Sequence, residues 1–94
     1  MAMKTFADIK RRLTVGTELD MIYHRYPVKD LVLPMRRVVV KAQSNAVAFS
    51  AWPGKDRPAW LWWGKASEYR IDDQDTFSVL DPDSGVVEMT YRFR

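Results

Sequence analysis

Several stretches of this chain alternate apolar and polar residues with the two-residue period of a β-strand. The last, residues 86–94, is the cleanest: Val87, Met89, Tyr91 and Phe93 take one face, and Glu88, Thr90, Arg92 and Arg94 the other. Residues 17–25 place Leu19, Met21 and Tyr23 opposite Glu18, Asp20 and His24, with Ile22 the exception. Residues 36–43 are rich in β-branched side chains, with Val38, Val40 and Ala42 expected inward and Arg37, Val39, Lys41 and Gln43 outward. After a tight turn at Ser44-Asn45, residues 46–52 set Val47, Phe49 and Ala51 inward, which makes a hairpin. Shorter strands are expected at 59–63, 68–72 and 76–80, separated by Pro, Gly, Asp and Ser turns.

Only the N-terminal stretch breaks this period. Phe6, Ile9 and Leu13 recur at helical spacing, Thr5 and Asp8 match a capping box, and Lys10, Arg11 and Arg12 complement the dipole of the last turn before Gly16. The expectation is one short helix over about 5–13, followed by strands at about 17–25, 36–43, 46–52, 59–63, 68–72, 76–80 and 86–94. The fold class is α+β, mostly β: a helix on a strongly bent antiparallel sheet or small SH3- or OB-like barrel of about six strands. An open sheet crossed by the helix is the competing arrangement. Between the first two strands, residues 26–34 form a loop bounded by Pro27 and Pro34, apolar enough to lie over one edge of the sheet. Arg92 and Arg94, on the terminal strand, read as protection of a free sheet edge.

The stretch Ala59-Trp60-Leu61-Trp62-Trp63-Gly64 holds three of the four tryptophans. As a strand it puts Trp60 and Trp62 on one face, Leu61 and Trp63 on the other. One indole face completes a small core, and the other is surplus. The expectation is that Trp60 and Trp62 are core, and that Trp63, with Trp52 across the Pro53-Gly54 loop, forms a contact surface.

Ninety-four residues make one domain of ordinary apolar and charged content. No apolar run reaches the length of a membrane span, and Asp8 and Lys10 interrupt the N-terminal apolar residues that a secretory signal needs. A soluble cytoplasmic protein is the expectation. The net charge of +3 conceals an asymmetry: residues 1–65 carry 12 Lys/Arg against 5 Asp/Glu, and residues 66–94 carry 3 against 7. A basic front and an acidic back suit a polyanion or an acidic protein surface as partner.

Composition argues against catalysis. His24 is the single histidine and cysteine is absent, so neither a histidine relay nor a thiolate site is available. None of the serines stands in a Gly-x-Ser-x-Gly elbow, and no phosphate-binding glycine loop is present. Asp81-Pro82-Asp83-Ser84-Gly85 loosely follows the start of a calcium loop but lacks the closing glutamate, and its residues are those a turn requires. The expectation is a protein without metal or cofactor and without enzymatic activity.

Cations interleaved with aromatics are how a small barrel holds single-stranded nucleic acid, phosphates on the cations and bases on the rings. The candidate contact residues are Trp52, Trp63 and Tyr26 for stacking and Arg37, Lys41, Arg57 and Lys65 for charge. The leading expectation is a non-enzymatic module binding nucleic acid or a host nucleoprotein complex. A protein-directed inhibitor using the same surface is the alternative, and an SH3-like peptide binder the third.

The segments Phe6–Leu13, Val38–Asn45 and Trp63–Glu68, with the Tyr-Arg-Phe ending, resemble short uncharacterised proteins of bacterial and phage genomes. That resemblance implies a small accessory protein of phage or mobile-element origin. Proteins of that kind often block host restriction or CRISPR machinery, which would make this chain an inhibitor of the anti-CRISPR or anti-restriction type. No binding or catalytic residue follows from it.

Overall fold

A computed structural model describes residues 2–26 and 29–94. One helix, α1 (Phe6–Arg12), precedes seven strands: β1 (Glu18–His24), β2 (Met35–Ala42), β3 (Ala46–Phe49), β4 (Ala59–Trp62), β5 (Tyr69–Asp73), β6 (Thr76–Leu80) and β7 (Val87–Phe93). All pair antiparallel in a single sheet of order β4-β3-β2-β1-β7-β6-β5. Two meanders, β1–β4 and β5–β7, are thus joined along β1 and β7. Among the described residues no helix is long and apolar enough to cross a membrane.

The sheet is curled into a half-barrel, and its aromatic core reports the curl. Phe49 on β3 and Tyr91 on β7 are separated by two strands in the sheet, yet their rings stack 5.3 Å apart. Phe77 continues the column at 5.4 Å from Tyr91, and Phe93 follows at 5.8 Å from Phe77. Leu19, Met21, Val39, Val47 and Val79 fill the concave face around them. Burying these side chains is the main favourable term for a domain of this size.

The helix closes one end of the trough. Thr5 accepts from the Asp8 amide, and the Asp8 carboxylate accepts from the Thr5 and Lys4 amides, so the capping box forms. Ile9 and Leu13 are buried in the core, and Phe6 stacks on Tyr69 at 4.5 Å. Arg12 ties the last turn to the β5–β6 turn: it lies 4.1 Å over the Phe93 ring and donates to the Asp75 carboxylate and the Gln74 carbonyl. Seven residues would not hold as an isolated helix, so these contacts are what maintain it. Gly16, with a φ of +93°, then turns the chain into β1.

Two bulges displace the expected faces. In β1 the register with β7 shifts between Met21 and Tyr23, so Ile22, the exception in the alternation, marks an extra residue. Leu19 and Met21 face inward as expected, but Tyr23 emerges on the outer surface and His24 turns toward the concave side, opposite Met89. In β2 the shift falls between Val39 and Lys41.

Up to the bulge the β2 phase is the reverse of the expectation: Arg37 pairs with inward-facing Leu19, and Val39 with inward-facing Phe49, so both are buried while Val40 is exposed. Beyond the bulge the phase is as expected, with Lys41 opposite outward-facing Ala48 and Ala42 opposite inward-facing Val47 at the open rim. Nor do Arg92 and Arg94 guard a free edge, because β7 lies between β1 and β6. Arg94 pairs instead with Asp20 of β1 at 3.0 Å. Of the loop over 26–34, Leu31 does pack against the core, and Pro27 and Val28 lie outside the described residues.

Candidate binding surface

The free edges of the half-barrel are β4 and β5. β5 carries charged residues along its length, Arg70, Asp72 and Asp73, with Arg70 and Asp72 paired at 2.6 Å. Charges of this kind discourage pairing with another chain. β4 reads Ala-Trp-Leu-Trp and has none.

The main-chain pattern of β4 follows from one bond. The Trp63 amide donates to the Asn45 carbonyl at 2.9 Å, so Trp63 is a position bonded to the β3 side. Antiparallel alternation then gives Leu61 and Ala59 the ladder bonds to Val47 and Phe49. The N–H and C=O of Trp60 and Trp62 point the other way, to the free edge. Among the described residues only the Trp62 carbonyl of these four groups is met: the Tyr69 hydroxyl donates to it at 3.4 Å while accepting from the Gly64 amide.

The same register decides which indoles are outside. Trp60 is opposite Ala48 and Trp62 opposite Ala46, on the face that Lys41 shares one strand further on. Both indoles are exposed, Trp60 at 38% and Trp62 at 62%, and they stack on each other at 5.7 Å with planes 22° apart. Ala46 and Ala48 are fully buried although they face outward, because the large side chains opposite them lie across them.

The tryptophan assignment read from the sequence is therefore inverted. Trp63, expected at the surface, sits on the concave side of β4, 5.7 Å edge-on to both Phe6 and Tyr69. Trp52 is half-buried beside His24, at 5.6 Å edge-on, with the Arg37 guanidinium 4.7 Å from its ring. Alternation alone separated the two faces of residues 60–63 but could not say which was inside. The usable signal was in β3, where small Ala46 and Ala48 alternate with large Val47 and Phe49. A strand set beside it puts its bulky outer residues over the alanines.

The seven sequence-predicted contact residues do not form one surface. Arg37, expected outside to meet phosphates, is 1% exposed, held between the rings of Phe49 and Trp52, and burial pushes its pKa down. Tyr26 is exposed, its carbonyl accepting from His24 Nδ1 at 2.6 Å, so it belongs with Trp52 and His24. A cleft of about 580 Å³ opens there, lined by His24, Trp52 and the mixed charges Lys29, Asp30 and Lys55. Neither that cluster nor the one around Trp63 includes Trp60 or Trp62. Lys41, Arg57 and Lys65 do remain exposed. Lys41 is on the indole face of the sheet, and Arg57 and Lys65 bracket β4 in the chain.

Charge is divided along the sheet. Residues 35–65, which form β2, β3, β4 and their loops, carry six Lys/Arg with Asp56 as the one carboxylate. β5–β7 hold the acidic excess. The Asp81 carboxylate is engaged in its own turn, accepting from the Asp83 and Ser84 amides. The indole pair thus stands at the basic end. No protein-family model matches this sequence, and no curated protein or solved structure is significantly similar to it.

Proposed function

We propose that the chain is a non-enzymatic binding module that holds an acidic protein partner at the Trp60–Trp62 edge of β4. The observation that carries this reading is the exposed, mutually stacked indole pair at the basic end of the sheet. Tryptophan is over-represented among the residues that dominate interface energies. Covering the pair removes apolar area from water at ~25 cal/mol per Å². Arg57, Lys65 and Lys41 supply the complementary charge, which speeds encounter and selects against basic partners. A protein-directed inhibitor, the alternative drawn from the sequence, is one form such a module would take.

A second reading, single-stranded nucleic acid, is favoured by the cations around the stacked rings. Bases would stack on Trp60 and Trp62 and phosphates would meet Lys41, Arg57 and Lys65. The buried position of Arg37 removes one of the four cations that this reading counted from sequence.

The test compares the wild-type protein with a Trp60→Ala/Trp62→Ala variant, each immobilised and exposed to nuclease-treated bacterial extract, and each titrated with a thymidine 15-mer. An acidic protein retained by the wild type and lost by the variant supports the reading. Retention that is equal on both overturns it. Oligonucleotide binding that weakens steeply with salt, with no protein retained, moves the assignment to the second reading.

A further inference from the structure

We infer that the β4 edge binds its partner by strand addition: an extended acidic peptide pairs with Trp60 and Trp62 as an eighth strand. This rests on the reading above and specifies how the partner is held. Three main-chain groups, the Trp60 N–H, the Trp60 C=O and the Trp62 N–H, face the free edge with no partner among the described residues. They belong to two residues one repeat apart, which is the spacing at which a neighbouring strand exchanges hydrogen bonds. Nucleic-acid bases have no use for that spacing; a polypeptide backbone matches it.

The contrast between the two edges supports the assignment. The same sheet places Arg70, Asp72 and Asp73 along β5, while Ala59–Trp62 has neither charge nor proline to blunt it. Tyr69 covers only the last carbonyl of β4, at the end where the chain leaves the sheet.

Charge selects the occupant. A second copy pairing antiparallel about Leu61 would bring the Arg57 end of one β4 to the Lys65 end of the other at both ends of the pair, cation toward cation, which opposes self-association. A peptide with carboxylates flanking a short apolar centre instead meets Arg57 at one end of β4 and Lys65 at the other. Its residues paired with Trp60 and Trp62 project their side chains on the indole face, where apolar groups continue the stack over Ala46 and Ala48. The intervening residue turns toward Leu61 on the other face. The apolar centre is therefore about four residues, the length of β4, and the carboxylates that reach Arg57 and Lys65 lie beyond it on either side.

The experiment uses amide hydrogen exchange and tryptophan fluorescence on the full chain. Four probes are compared: a capped Glu-Glu-Val-Thr-Val-Glu-Glu peptide, the same peptide N-methylated at alternate residues, its counterpart with lysine in place of glutamate, and a thymidine octamer. The free protein should show a protected Leu61 amide and unprotected Trp60 and Trp62 amides. The acidic peptide at saturation should slow exchange at Trp60 and Trp62 at least tenfold and shift the indole emission, and the N-methylated and lysine peptides should do neither. Emission that shifts without slower Trp60 exchange, with the acidic peptides or the octamer, overturns strand addition while leaving the binding surface standing. No shift in either observable with any probe overturns both. A free protein already protected at Trp60 and sedimenting at twice 11.0 kDa gives the edge to a second copy and overturns the acidic peptide.

Discussion

The Arg37 guanidinium lies 4.7 Å from the Trp52 ring, almost wholly buried, with no carboxylate beside it among the described residues. Among the described residues its side chain makes one long hydrogen bond, from Nη1 to the Ala51 carbonyl at 3.4 Å, and its Nε meets no partner. Two aromatic rings are its compensation, and such contacts contribute about 0.5–2 kcal/mol each. The desolvation of a buried cation is of the same order or larger. Arg37→Met, which keeps the volume and removes the charge, should leave stability unchanged or raise it by about 1–2 kcal/mol in urea titration. Arg37→Ala should lose about 2 kcal/mol or more, through the cavity it leaves. A Met variant weakened as much as the Ala variant would mean that the charge, not the volume, is what this site needs.

Trp63 and Trp62 are adjacent, and their replacement should have opposite consequences. Trp63 joins β4 to the helix through Phe6 and to β5 through Tyr69. Trp63→Ala should therefore cost about 2–4 kcal/mol and lower the thermal midpoint by many degrees. Trp62→Ala removes a side chain that is mostly in water, so its effect on stability should stay within about 1 kcal/mol. If Trp62→Ala unfolds the domain and Trp63→Ala does not, the inside and outside of β4 have been exchanged.

That pair of residues also marks where the sequence stops being informative. Period, turn residues and the capping box are local, and they were enough to place the helix and a strongly bent antiparallel sheet. Which face of a strand is buried is decided by its neighbours. Residues 60–63 are bulky on both faces, so nothing within them breaks the tie; the alanines of β3 do, once the strands are paired. In β2 three consecutive valines hide the phase in the same way, and the bulge after Val39 changes it again. Arg37 misled for another reason: a charged residue reads as exposed, and only the rings of Phe49 and Trp52 make its burial tolerable. The basic end of the sheet could be read, because charge segregation along the chain survives a meander in which sequence neighbours stay neighbours in space.

Acid should weaken the fold through carboxylates that accept backbone hydrogen bonds. The pKa of Asp8 is lowered chiefly by the Lys4 amide, that of Asp73 by the Asp75 amide, and that of Asp81 by the amides of Ser84 and Asp83. A carboxyl whose folded pKa lies below its unfolded value of 3.8 adds stability above that value and loses it as pH falls through the folded pKa. The thermal midpoint should thus be level above about pH 5 and decline below about pH 4. Asp81→Asn keeps an oxygen acceptor for the turn but no titrating group. Its midpoint should fall less steeply in acid than that of the wild type, and an identical slope would remove Asp81 from the linkage.

Alkali acts on the opposite face of the same thermodynamics, at Tyr91. Its phenol is buried in the ring column, and desolvation raises its pKa from 10.0 to about 12, with the nearby Arg37 charge acting in the lowering direction. An acid with a raised folded pKa is held protonated by the fold. The unfolded chain ionises first, so stability is intact below about pH 10 and declines between about pH 10 and 12. The decline should reach on the order of 2–3 kcal/mol by pH 12, at ~1.4 kcal/mol per pH unit. Burial raises the pKa of Tyr69 as well, so some alkaline loss should persist without Tyr91. Tyr91→Phe keeps the ring stack and gives up only the hydroxyl contact to the Met89 sulfur, at 3.3 Å. Chemical denaturation at pH 8 and pH 11 should find the variant close to the wild type at the lower pH and more stable at the higher one. Equal losses in both proteins between the two pH values would mean that the phenol at position 91 ionises without leaving the core, and that the ring column is open enough to admit water.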